Sequence, residues 1–188
     1  MSRRRFADFL ALMLAILTNL CGSAETFRNP TRIPASTDPA TVIVGDLNGD
    51  GLQDILWGDT STTPARLHIL LAQPSGGYAP APDLVLPASA GTGCRLFDAN
   101  RDGRLDLVCP QSSAFQASLL LFLGNGDGTF GAPTSTQLPT SNGNYFYPAI
   151  VPPADLNGDG ILDLAVIDTL NNRTYILLGD GHANFRLV

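Results

Sequence analysis

From about residue 40 onward the chain alternates short apolar runs with clusters of Gly, Asn, Asp and Pro. Apolar runs of a few residues closed by such clusters predict strands joined by tight turns. Between residues 93 and 138 the pattern predicts four strands, roughly Gly93 to Phe97, Asp106 to Pro110, Ser118 to Leu123 and Phe130 to Leu138. Leu119-Leu-Leu-Phe-Leu123 is apolar at every position, as expected of a strand covered on both faces.

Laid over itself, the chain repeats. Asp46-Leu-Asn-Gly-Asp-Gly-Leu-Gln-Asp54, Asp98-Ala-Asn-Arg-Asp-Gly-Arg-Leu-Asp106 and Asp155-Leu-Asn-Gly-Asp-Gly-Ile-Leu-Asp163 superimpose, with starts 52 and 57 residues apart. An apolar stretch follows each: Ile55-Leu-Trp57, Leu107-Val-Cys109 and Leu164-Ala-Val-Ile167. A second landmark keeps phase with the first. Leu123-Gly-Asn-Gly-Asp-Gly-Thr-Phe130 matches Leu178-Gly-Asp-Gly-His-Ala-Asn-Phe185 and, more loosely, Leu71-Ala-Gln-Pro-Ser-Gly-Gly-Tyr78. Its aromatic falls 32, 32 and 30 residues after the first Asp of its loop, and Phe27 supplies a fourth such aromatic. Aromatic to aromatic, the units span about 27–78, 78–130 and 130–185. A period near 50 residues with four strands per unit points to a β-propeller blade rather than a helical solenoid. The fold class is therefore all-β: blades of about four antiparallel strands, three repeats present. Three units fall short of the 4–8 blades that close a propeller, so a partial propeller is expected, read as a piece of a longer one.

Composition agrees. There is no Lys; all 11 cationic residues are Arg, and 16 of the 17 acids are Asp. Helix-forming Lys and Glu give way to Asp, Asn, 19 Gly and 14 Pro, which favour turns. A net charge of −6 argues against a nucleic-acid partner, which needs clustered basic residues.

The N-terminus is a separate object. Arg3, Arg4 and Arg5 precede an apolar run from Phe9 to Leu20, and small residues close it at Cys21-Gly-Ser-Ala24. This is the layout of an export signal over 1–24, too short to span a bilayer. Cleavage after Ala24 would leave 25–188 as the repeat region in an extracytoplasmic compartment: secreted, periplasmic or at the cell surface. No later apolar run reaches membrane-spanning length. Losing three Arg and one Asp, the mature chain falls from −6 to −8.

The Asp-x-Asn-x-Asp-Gly-x-x-Asp loop, the apolar strand after it and the Leu-Gly-Asn-Gly-Asp-Gly-Thr-Phe-Gly-Ala-Pro string resemble FG-GAP repeats. These are similar to blades of the integrin α-subunit head, and bacterial versions are often labelled VCBS repeats. The resemblance covers Phe27 to Val188 and implies a propeller, usually of seven blades, with one calcium per loop. The third copy departs at His182-Ala-Asn184, where Asp-Gly-Thr is expected, which weakens that turn.

The loop chemistry independently suits calcium, up to three ions, one per loop. Calcium takes about six to eight oxygens from carboxylates, amides, carbonyls and water. In the first loop Asp46, Asn48 and Asp50 alternate, so a curling chain can turn all three inward, and Gly51 allows the sharp bend. Leu52 offers a backbone carbonyl and Asp54 anchors the next strand. The same roles fall to Asp98, Asn100, Asp102, Arg104 and Asp106, and to Asp155, Asn157, Asp159, Ile161 and Asp163. Nine of the 16 acids after residue 24 lie in these loops; without a cation they repel. Helical calcium loops carry a Glu at position twelve, where Trp57, Cys109 and Val166 stand here. Magnesium prefers rigid octahedral sites, and transition metals lack their His and Cys ligands.

Other chemistry is sparse. His68 and His182, the only histidines, read as structural or solvated, Trp57 as blade core, and Asn172-Arg-Thr174 as a chance sequon. No catalytic constellation emerges. Cys94 and Cys109 flank the second loop, four before its first Asp and three after its last. Either they form an intrachain disulfide across paired strands, or they are two small core residues, since Val42 with Trp57 and Val151 with Val166 fill the same slots. The expected function is a non-enzymatic binding or adhesion module for an unidentified protein or glycan ligand. The alternative is the propeller portion of a secreted carbohydrate-active enzyme, a polysaccharide lyase or hydrolase.

Overall fold

The computed structural model describes residues 39–88, 90, 93–113, 116–139 and 148–188, all within the unit Ala35–Val188. The leader expected at 1–24 and the aromatic Phe27 lie outside the described residues. Three four-stranded antiparallel sheets follow one another along the chain, each strand beside its sequence neighbours. The first holds β1 (Pro39–Gly45), β2 (Asp54–Asp59), β3 (Arg66–Ala72) and β4 (Tyr78–Val85). The second holds β5 (Arg95–Phe97), β6 (Asp106–Ser113), β7 (Gln116–Phe122) and β8 (Thr134–Gln137). The third holds β9 (Pro148–Ile150), β10 (Leu164–Asp168), β11 (Arg173–Gly179) and β12 (Phe185–Leu187). Among the described residues there is no helix, and the sheets are successive blades of a partial propeller.

Burial explains the strand patterns. β7 buries every residue after Gln116, because sheets cover it on both sides. β4 lies at a sheet edge and carries Pro80 and Pro82, which an edge strand tolerates because fewer of its N–H groups are needed for pairing. The aromatics Tyr78 and Phe185 open the fourth strand of their sheets. The sequence period therefore runs one strand out of phase with the sheets.

Two cores alternate with the sheets. Leu56, Leu67 and Ile69 of the first sheet pack with Leu107, Cys109, Leu120 and Phe122 of the second. Val108, Leu119 and Leu121 of the second pack with Leu164, Val166 and Leu177 of the third. Adjacent residues such as Leu107 and Val108 serve different cores because successive side chains on a strand point to opposite faces. Each sheet thus has a front, toward the preceding sheet, and a rear, toward the following one.

Arg95 pairs with Val108, so Cys94 lies opposite Cys109. The two are joined as a disulfide with Cα atoms 4.2 Å apart, and both are fully buried. The corresponding slot in the first sheet is Val42 opposite Trp57. In the third sheet the expected partner Val151 is displaced by one residue: Val166 pairs with Ile150. Pro152 and Pro153 add a residue between strand and loop, and neither has an N–H with which to extend the ladder.

Candidate metal centre

Each Asp-rich loop joins the first two strands of its sheet, and its side chains fold the loop around themselves. Asp46 Oδ1 accepts from the backbone N–H groups of Gly49 (2.8 Å) and Asp50 (3.2 Å), and Oδ2 from Gly51 (2.8 Å). Asp50 Oδ1 accepts from Leu52 N–H at 2.8 Å. Asn48 accepts from Asp50 N–H through Oδ1 and donates to Asp50 Oδ2 through Nδ2. The frame recurs in the second loop, where Asp98 accepts from Asp102 and Gly103, Asp102 from Arg104, and Asn100 donates to Asp102. It recurs again in the third, where Asp155 accepts from Gly158 and Gly160, Asp159 from Ile161, and Asn157 donates to Asp159. Gly51, Gly103 and Gly160 have φ of 81–83°, the left-handed region that glycine enters without a Cβ clash. The N–H donors from Gly160 and Gly158 hold the exposed Asp155 carboxyl below its ordinary value.

The ninth position has a different environment. Asp54, Asp106 and Asp163 are completely buried. One oxygen of each accepts the N–H at position two of its own loop, from Leu47, Ala99 or Leu156, at 2.8–2.9 Å. The other accepts an N–H from the end of the third strand, Ala72 or Gly179, or from just beyond it, Gly124, at 2.8–2.9 Å. The carboxylate is a bracket tying the loop to the turn that follows. Burial pushes the Asp106 carboxyl up, the Asp102 and Asp98 charges add to this, and the N–H groups of Gly124 and Ala99 oppose it.

The second landmark is a turn with its own conserved geometry across the three sheets. The N–H of Gln73, Asn125 or Asp180 donates to the carbonyl four residues on, at 3.0–3.1 Å. In two copies it also reaches the preceding sheet's Asp loop: Gly128 N–H donates to Leu47 O, and Ala183 N–H to Ala99 O, both at 3.2 Å. The departure at His182-Ala-Asn184 keeps the turn, with Ala183 forced to φ 64°. Asp180 holds it by accepting from the N–H groups of His182 and Asn184 and from Asn184 Nδ2.

At positions one, three and five the loops offer carboxylate and amide oxygens, with Asp50, Asp102 and Asp159 exposed. Such hard donors fit calcium, and an oxygen that accepts one N–H keeps a second lone pair. Among the described residues no three or more His, Cys, Asp or Glu side chains converge as a metal cluster. The structure therefore does not gather the buried ninth Asp with its two neighbours. A groove of about 650 Å³ lies between the first two loops, lined by Asp46, Asn48 and Gln53 on one side and Arg104 on the other.

The surroundings of His68 were not legible in the sequence. It stacks on Trp57 with ring centroids 4.0 Å apart. Its Nδ1 shares a 2.8 Å hydrogen bond with Asp83 Oδ1, and its Nε2 stands 3.6 Å from Asp59 Oδ2. Register explains the grouping: Trp57 and His68 are directly opposed on β2 and β3.

A family model of FG-GAP-like repeats matches residues 46–109 and 112–166, well over half of the chain and all three Asp-rich loops. No curated protein matches it. With the loop frame and the interlocking turn repeated in successive blades, the chain belongs to the family of FG-GAP-like repeat proteins.

Proposed function

We propose that this protein is an exported module that binds calcium in its Asp-rich loops and a protein or glycan partner through its exposed interblade turns, acting by recognition rather than catalysis. The observation that carries the calcium reading is the threefold recurrence of one loop frame around exposed carboxylates. A bound calcium ion supplies positive charge that relieves the repulsion among them. Asp46, Asn48, Asp50 and the Leu52 carbonyl would hold it in the first loop. The second set is Asp98, Asn100, Asp102 and Arg104, and the third Asp155, Asn157, Asp159 and Ile161. The ninth-position Asp fixes each loop from beneath.

Export is supported by the charged, apolar and small-residue order of residues 1–24 and by a disulfide, which persists in oxidising compartments. Among the described residues no helix is long and apolar enough to cross a membrane.

Calorimetric titration of the purified chain with calcium should show up to three sites with dissociation constants of about 10⁻⁴–10⁻³ M, the range of extracellular modules. No heat of binding at millimolar calcium would remove the metal from the proposal. Mass spectrometry of the exported form should find Glu25 at the N-terminus, and a retained Met1 would refute export. Glycan and matrix-protein arrays beside a lyase assay separate the binding module from an enzyme part.

A further inference from the structure

Position two of the first two Asp loops is held from both sides. Leu47 donates its N–H to the buried Asp54 at 2.8 Å. Its carbonyl accepts the N–H of Gly128, in the turn after the third strand of the second sheet, at 3.2 Å. One loop on, Ala99 donates to Asp106 at 2.9 Å, and its carbonyl accepts from Ala183 in the turn of the third sheet at 3.2 Å. Leu47 and Ala99 are each 5% exposed. Both turns also rest on a second point of the preceding sheet. A Cβ at Gly128 would stand 2.9 Å from a Leu71 methyl, and one at Gly181 3.1 Å from Arg101 Cδ.

These holds pass between the candidate calcium ligands. Leu47 lies between Asp46 and Asn48, and Ala99 between Asp98 and Asn100. The peptide unit is planar, so the Leu47 carbonyl can turn away from Gly128 only if the backbone rotates at Leu47 or Asn48. An ion shared by the side chains on both sides would restrain those rotations. The ninth Asp restrains the N–H of position two, so the direction of the carbonyl is left to the loop itself.

We infer that calcium in one Asp loop fastens the turn of the following sheet through the carbonyl at position two, so that occupancy in one blade sets the hold on the next. The inference rests on the calcium reading above. It has a direction: the first loop acts on Gly128 and the second on Ala183, each across the boundary between two sheets. The coupling is reciprocal, as any linkage between two equilibria must be, so a seated turn tightens calcium in the loop that it touches.

Amide hydrogen exchange, followed by NMR on the whole disulfide-bonded chain, reads this as the ratio of the Gly128 and Ala183 rates. A loss of global stability speeds both amides, whereas a local release speeds one. In saturating calcium, Asp50→Ala should speed Gly128 relative to Ala183 by at least about fivefold, the lower end of typical couplings. Asp102→Ala should shift the ratio the other way. Both side chains are exposed, and Asp50→Asn and Asp102→Asn replace any Ala variant that does not fold. In chelator the substitutions should leave the ratio unchanged. The same shift in chelator would assign the hold to the Asp side chain itself and overturn the proposal. Calorimetry on the same samples separates two failures. Heat of calcium binding with an unmoved or reversed ratio overturns the coupling and leaves the calcium reading standing, whereas no heat at millimolar calcium overturns both.

Discussion

Asp54, Asp106 and Asp163 are acidic side chains with no exposure, and each is kept there by two backbone N–H donors. Substituting Asn at position 106 leaves one acceptor oxygen and turns an NH₂ toward the second N–H. Leaving such a buried donor without a partner costs about 1–3 kcal/mol. Asp106→Asn should therefore lower stability by that amount even in chelator. The exposed Asp102→Ala, whose donors can turn to water, should cost less in chelator, about 0.5–1 kcal/mol. Denaturant melts decide, and equal losses in chelator would sink the distinction. Asp180 illustrates the opposite electrostatics: the Asn184 side-chain hydrogen bond, followed by the His182 N–H, holds its carboxyl below the ordinary 3.8. A depressed carboxyl contributes stability above its unfolded value, and that contribution is lost as pH falls through the folded one. Asn184→Ala should raise the Asp180 midpoint toward 3.8 in an NMR titration, and an unmoved midpoint would discard this cause.

Among the elements, the turn after the third strand of the second and third sheets hydrogen-bonds each of them to the Asp loop of the sheet before. Its geometry requires a left-handed residue where Gly128 has φ 85° and Ala183 has φ 64°. An L-residue with a Cβ costs about 1–2 kcal/mol in that region. Ala183→Gly should thus stabilise the protein by about 1 kcal/mol, with the Ala183-to-Ala99 backbone bond retained. A lower melting temperature in the variant would show that the Ala methyl, which packs against the second core, outweighs the strain. Gly128 is the harder position to change: a Cβ there would stand 2.9 Å from a Leu71 methyl, where the turn of the second sheet meets the first.

Over the whole molecule, three loops on three sheets would give calcium, bound as proposed, a leverage that one loop would not have. At a dissociation constant of about 0.1 mM and 1 mM free ion, linkage contributes about 1.4 kcal/mol per site. Three independent sites together would contribute about 4 kcal/mol, a large share of the 5–15 typical of a domain. Chelation should lower the melting temperature by many degrees, calcium should restore it better than magnesium, and Asp50→Ala, Asp102→Ala and Asp159→Ala should each remove about one site's share. Sodium at matched ionic strength replacing calcium, or Asp→Ala variants that gain stability under calcium, would mean that the loops are turns whose carboxylates merely repel.

What the sequence determined by itself was local. Turn residues, apolar runs and two landmarks in phase were enough for the strands, the three-unit period and the loops, because turn chemistry and strand burial act over a few neighbouring residues. The strands expected around the second loop reappear as β5 to β8, the last beginning only at Thr134 because Pro133 precedes it. The sequence left Cys94 and Cys109 open between bond and packing, and the pairing of β5 with β6 decided it. The buried bracket of the ninth Asp was not legible, since its second donor lies 16 or 18 residues away along the chain. Nor was the exposure of Val44: it and Leu96 occupy the same register slot and both are apolar, yet among the described residues only Leu96 has a sheet in front of it. Which face is covered is a property of neighbours in space, and no local pattern encodes it.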